Sequence, residues 1–113
     1  MKVTVAATQI TCSWEIEENI SKARKIINDA ANKGANIILL QELFQTPYFC
    51  IEYDEEIFRL AKPFDDNSHL KEMSVIANYL QVVFPFIYFD IDNFAYFNSF
   101  AFIYIYVSIL VIF

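Results

Sequence analysis

A single glycine, Gly34, serves all 113 residues. A compact α/β domain makes many of its turns on glycine, whose missing Cβ opens the left-handed backbone region, so one is anomalous. Cysteine is nearly as scarce: Cys12 and Cys50 lack metal-ligand spacing, and the lone His69 has no neighbour that would complete a metal site. The sequence therefore predicts no metal, and two structural thiols in a reducing compartment. Positive charge is short too. Eight Lys and Arg stand against fourteen Asp and Glu, a net −6 with no basic cluster, which argues against nucleic acid as a partner while leaving a cationic substrate acceptable. The first residues carry one basic side chain, Lys2, and an apolar stretch too short for the core of a signal peptide, so the cytoplasm is the expected location.

Charge then disappears altogether, because every charged residue lies at or before Asp92 and the last 21 positions carry none. Eight of the twelve phenylalanines fall between Phe84 and Phe113. Two compositional regimes thus share a chain of one domain at most, long enough for a modest core.

Read in order, residues 2–9 alternate around Val3, Val5 and Ala7 and predict a strand buried on both faces. Ser13 is the predicted N-cap of a helix beginning near Trp14 or Glu15, with Glu15, Glu17 and Glu18 where the helix dipole favours negative charge. Ile16, Ile20, Ala23, Ile27 and Ala30 recur at helical spacing and line one face, Glu18 and Lys22 form an i,i+4 pair, and Gly34 supplies the left-handed stop. Ile37, Ile38, Leu39 and Leu40 form a second strand, again read as buried on both faces. Strand, helix, strand implies parallel neighbours, with Gln9 and Glu42 at the same edge of the sheet. Glu42 follows the second strand at its carboxyl end, where open sheets bind ligands, and is the candidate for chemistry.

Farther on, residues 55–61 suggest a short helix ended before Pro63, and Asn67 or Ser68 caps a second long helix with Leu70, Met73, Val75, Ile76, Ala77 and Leu80 on its apolar face. His69 is expected exposed in its first turn. Residues 82–89 read as a third strand, with Pro85 unwelcome in a central position, and 96–105 as a fourth, antiparallel strand after a turn at 90–93, making Asp90 and Asp92 turn acids.

Ala-Thr-Gln at 7–9, Thr-Cys-Ser-Trp at 11–14, Gly-Ala-Asn-Ile-Ile-Leu-Leu-Gln-Glu-Leu-Phe at 34–44, Thr-Pro-Tyr-Phe-Cys at 46–50, Leu-Ala-Lys-Pro-Phe at 60–64 and Tyr-Phe-Asn-Ser at 96–99 occur in that order. Together they resemble the N-terminal part of the nitrilase, or carbon-nitrogen hydrolase, superfamily, on a branch acting on carbamoyl amines. The resemblance implies an α/β fold, the N-terminal and incomplete part of an α/β/β/α sandwich. It implies hydrolysis of a carbamoyl C–N bond, releasing putrescine, ammonia and carbon dioxide from carbamoylated putrescine, in a homo-oligomer without metal or organic cofactor. The family's catalytic set is Glu, Lys and Cys. Only the first matches a position here, Glu42, which would be the general base. Tyr48 and Phe49 would line the substrate pocket, Lys62 matches a stretch other than that of the catalytic lysine, and Cys12 and Cys50 match positions outside the nucleophile motif. The 113 residues are expected to be inactive alone.

The resemblance covers residues 1–92 best and leaves 93–113 as a divergent apolar tail. Val107 and Val111 stand where the family pattern has glycine, and Tyr104 and Tyr106 where it has acids, as in a decayed, truncated or misread copy. Two other readings follow from this stretch: a non-catalytic remnant or subunit docking through an open sheet edge, and a membrane anchor through 93–113, whose 21 uncharged residues equal the length of a bilayer-crossing helix.

Overall fold

The computed structural model describes residues 1–103 and 110–112. Strand β1 (Val5–Ala7) leads through helix α1 (Ile16–Asn32) to strand β2 (Ile37–Leu39), and the two strands pair in parallel with Val5 opposite Ile37 and Ala7 opposite Leu39. Gly34 stops the helix at φ +90°, a conformation that costs a residue with a Cβ about 1–2 kcal/mol. Ser13 does not cap α1. Glu15 holds that position without a side-chain hydrogen bond, while the Ser13 hydroxyl accepts from the Glu15 N–H at 3.2 Å and donates to Glu18 at 3.1 Å, so the first helical residue is Ile16.

The sheet extends past β2. Ile37 bridges Val83 in parallel, the Ile38 N–H donates to the Val83 carbonyl and the Val83 N–H to that of Asn36, each at 2.9 Å. From Val83 the chain enters β3 (Phe84–Asp92), which turns into antiparallel β4 (Ala95–Ile103), and β5 (Leu110–Ile112) pairs with β4. Pro85 is tolerated because, among the described residues, β3 is bordered along its length by one strand, β4, rather than two. Asp90 and Asp92 are strand residues, contrary to the sequence expectation. The turn lies beyond them at Asn93 and Phe94, both left-handed with φ of 47° and 62°, the pairing that matches the twist of a two-residue hairpin.

Helix α2 (Ser68–Leu80) is capped by Asn67, whose Oδ1 accepts from the Leu70 N–H at 3.1 Å, and preceded by short 3₁₀ turns at Phe49–Ile51, Glu55–Leu60 and Phe64–Asp66. Ile20, Ala23 and Ile27 of α1 meet Leu70, Met73 and Ala77 of α2 and Ile38, Phe84, Phe86 and Ala101 of the sheet in one core. Each fully buried large side chain contributes roughly 1.5–3 kcal/mol. Arg24 and Glu72 clasp the two helices at the surface.

Three burial expectations are corrected. Neither β1 nor β2 is covered on both faces: Val5 is 63% exposed and Leu39 42%, because the described residues place both helices on one side. Val75 is 70% exposed, because it lies on the face of α2 opposite the stripe of Leu70, Met73 and Ala77. The uncharged stretch beginning at Asn93 forms strand over Ala95–Ile103 rather than helix, and among the described residues no helix is long and apolar enough to cross a membrane. The expected loss of turn chemistry at Tyr104, Tyr106 and Val107 lies outside the described residues, and Val111 falls within β5.

Candidate active site

The segment following β2 does not simply run off into a loop. Leu43 takes φ +52° while buried, and the Thr46 N–H closes a tight turn onto the Leu43 carbonyl at 3.1 Å. Such strain in a branched residue persists only where its surroundings over-determine it, and here several anchors do so. Phe44 is fully buried, edge-on to Phe86 with ring centroids 5.3 Å apart. The Gln41 carboxamide accepts from the Ile10 N–H at 2.7 Å and donates to the Cys12 sulfur at 3.3 Å, and the Cys12 thiol in turn donates to the Phe44 carbonyl at 3.1 Å. Burial pushes that thiol up from its ordinary value, partly offset by the charge of Lys22. Asn19, fully buried on α1, donates to the carbonyls of Ser13 and Gln45 at 2.6 and 2.8 Å and accepts from the Ser13 N–H at 2.9 Å.

On this braced turn Glu42 projects to the surface. Asn98 of β4 donates through Nδ2 to Glu42 Oε1 at 2.5 Å, and among the described residues no other hydrogen bond or ion pair reaches the carboxylate. Gln9 and Glu42 both follow the carboxyl ends of adjacent parallel strands, as the strand–helix–strand reading requires.

Tyr48 and Phe49 separate. Tyr48 is 48% exposed, and its phenol is held above the ordinary value first by a hydrogen bond to the Cys50 sulfur, then by the charges of Cys50 and Glu42. It therefore stands within electrostatic reach of the carboxylate. Phe49 is buried against Phe89 with ring centroids 5.2 Å apart. With Lys62, His69 and Phe89 it lines a cavity of about 60 Å³, large enough for water and far below the roughly 300–1,000 Å³ of an organic ligand site. His69 is not an exposed first-turn residue: its ring contacts Gln45 Nε2 at 2.8 Å and Glu17 Oε1 at 3.0 Å, tying both helices to the turn. Among the described residues no group of three His, Cys, Asp or Glu is arranged to hold a metal.

The residue that sequence reasoning passed over is Asn98. Its signal was modest, a polar amide on the same strand face as Tyr96 in a strand whose only other polar side chain besides the tyrosine is Ser99 on the opposite face. Asp90 was also misjudged. It is buried and accepts from the Ser99 hydroxyl at 2.8 Å and the Tyr88 hydroxyl at 3.5 Å.

Comparison with known proteins adds to this geometry. Residues 4–104 match the family model described as carbon-nitrogen hydrolase. N-carbamoylputrescine amidase of Arabidopsis thaliana is 40% identical over 102 residues, which are 90% of this chain and 34% of that protein. Citrullinase of Francisella tularensis subsp. tularensis is 35% identical over 101 residues, 89% of this chain and 35% of that one. The chain thus spans about a third of the length of these relatives. In fold it is similar to the crystal structure of a carbon-nitrogen hydrolase from Helicobacter pylori G27, with a TM-score of 0.86 at 24% identity over 97% of this chain and 38% of that one. The fold is accordingly that of an incomplete nitrilase-type α/β sandwich.

Proposed function

Because the chain belongs to the carbon-nitrogen hydrolase family, we propose that it forms the N-terminal part of a catalytic domain that hydrolyses the carbamoyl C–N bond of N-carbamoylputrescine, with Glu42 as general base. The observation that carries this reading is the Glu42 carboxylate on a strained, anchored turn at the end of a parallel strand, with one oxygen held by Asn98 and the other without a partner among the described residues. An open oxygen on a rigid mount can take a proton in a defined direction, which is what general base catalysis needs.

In this scheme Glu42 takes the thiol proton of a cysteine nucleophile, and the thiolate attacks the carbamoyl carbon. A lysine stabilises the resulting oxyanion. The intermediate collapses with expulsion of putrescine, which leaves with the proton from Glu42. The carboxylate then activates water against the S-carbamoyl intermediate. The thiol is regenerated, and the carbamic acid released decomposes to ammonia and carbon dioxide. Tyr48, within electrostatic reach of the carboxylate, lines the substrate site and Phe49 backs it. Lys62, Cys12 and Cys50 take no part. The 113 residues supply Glu42 and neither of the other two catalytic groups, so by themselves they turn over nothing. Residues 1–92 carry the family-like part of the domain and 93–113 its divergent edge. The complete domain acts on a small carbamoyl amine as a cytoplasmic homo-oligomer, without nucleic acid.

The test is a chimera in which residues 1–103 replace the matching third of the Arabidopsis relative. Ammonia release from N-carbamoylputrescine, and its loss in Glu42→Gln by at least about 10²-fold, the lower end of what a general base supplies, are the expected results. A folded chimera that releases no ammonia, or a Glu42→Gln variant as active as its parent, overturns the proposal. Release from citrulline in preference to N-carbamoylputrescine would reassign the substrate while keeping Glu42.

A further inference from the structure

Asn98 and Glu42 are separated by 56 residues yet meet at 2.5 Å, and each is mounted on a part of the fold that has its own bracing. Asn98 lies directly across the hairpin from Phe89. The Phe89 ring packs against Phe49, Phe58 and Tyr96 at centroid distances of 5.2, 6.2 and 5.8 Å, and its carbonyl accepts from the Lys62 N–H at 3.0 Å. Tyr96, two residues before Asn98 and on the same strand face, packs in turn against Phe58 with ring centroids 4.7 Å apart. The amide therefore rises from an aromatic platform. Its partner rises from the turn pinned by Phe44, Gln41 and Asn19.

From this arrangement we propose that Asn98 is a positioning residue for the Glu42 carboxylate, fixing Oε1 so that Oε2 alone is presented to the reacting thiol; the inference rests on the reading of Glu42 as general base. A carboxamide suits that task because its N–H donates and does not titrate, so it orients the carboxylate without competing for the transferred proton. A lysine in its place would add a charge, and a serine would be too short to reach across. Both partners are exposed, and exposed polar pairs add at most about 1 kcal/mol to stability. The contact is thus specific in geometry and weak as a support of the fold, so its loss should register in the chemical step more than in folding.

Two measurements decide it. In the 113-residue chain, one Asn98 side-chain amide proton should resonate downfield of its partner and shift in Glu42→Gln, while the other asparagine side chains stay in place. In the chimera, Asn98→Leu should lower kcat about 10–100-fold with KM within about twofold, and Asn98→Gln, which keeps the donor on a longer arm, should recover part of the loss. An amide signal indifferent to Glu42→Gln overturns the proposal, as does an Asn98→Leu chimera with unchanged kcat, or one whose kcat falls only in step with its thermal stability. A folded but inactive parent chimera would refute the general-base reading, whereas the amide comparison judges the Asn98 contact independently of turnover.

Discussion

Truncating Phe44 to alanine removes the principal apolar anchor of the turn that carries Glu42. The ring is fully buried and stands edge-on to Phe86 at 5.3 Å. Deleting a buried phenylalanine side chain costs about 3–5 kcal/mol through lost transfer energy and the cavity left behind, and about 0.5–1.5 kcal/mol of that belongs to the ring pair. At roughly 0.05–0.15 kcal/mol per residue the whole chain holds on the order of 6–17 kcal/mol, so Phe44→Ala should consume a large fraction of it. Urea unfolding followed by far-UV circular dichroism is the assay, with Tyr53→Ala as control. Tyr53 is 87% exposed, and its loss should stay within about 0.5 kcal/mol. A Phe86→Ala variant completes a double-mutant cycle in which the coupling should equal the ring-pair value. A Phe44→Ala midpoint within about 1 kcal/mol of the parent, against the 3–5 expected, would show that the turn is anchored by its hydrogen bonds instead.

Further outcomes follow from other parts of the molecule. Phe94 is 99% exposed and left-handed, so Phe94→Gly should stabilise the hairpin by about 1 kcal/mol; an unchanged or lower urea midpoint would refute the turn geometry. Tyr88 is held well above the ordinary phenol value by burial first and by the Asp90 carboxylate next. Its contribution to stability is complete below the unfolded-state value near 10 and is lost as pH rises toward the folded one, with a slope of at most about 1.4 kcal/mol per pH unit. Tyr88→Phe should flatten that alkaline decline, and parallel pH curves for the two proteins would disprove it. Cys50 is exposed, whereas Cys12 is half-buried with its thiol pushed up by burial; a thiol reagent at pH 8 should label Cys50 at least about tenfold faster, and equal rates would contradict the clamp at Cys12.

The helices were legible because their signals are local. The stripe Ile20, Ala23, Ile27 and the cap at Asn67 are read within a turn or two of chain, and both stand in the structure. Glu42 could be placed at a strand end for the same reason. What the sequence hid depends on distant or missing cues. The covering of β1 and β2 is decided by which layers lie over each face, and composition alone suggested both faces buried. With no Asn-Gly or Asp-Gly pair to mark the hairpin, Asp90 and Asp92 drew the turn toward themselves, when Asn93 and Phe94 make it in a conformation that usually needs glycine. The scarcity of glycine is met throughout in this way, with Leu43 and Gln81 also left-handed. His69 and Asn98 find their partners across the fold, at separations where periodicity carries no information.

The distance along the chain between Glu42 and Asn98 also has a meaning in time. A ribosome adding roughly 5–20 residues per second delivers the carboxylate well before the amide, since 56 residues separate them. The interval is about 3–11 s at those rates, far longer than the microseconds in which a hairpin forms. During synthesis the first strands and helix α1 can emerge and associate while Glu42 still lacks its only described hydrogen-bond partner. The carboxylate can gain that partner only after β4 has been made, so its orientation depends on the later-synthesised hairpin.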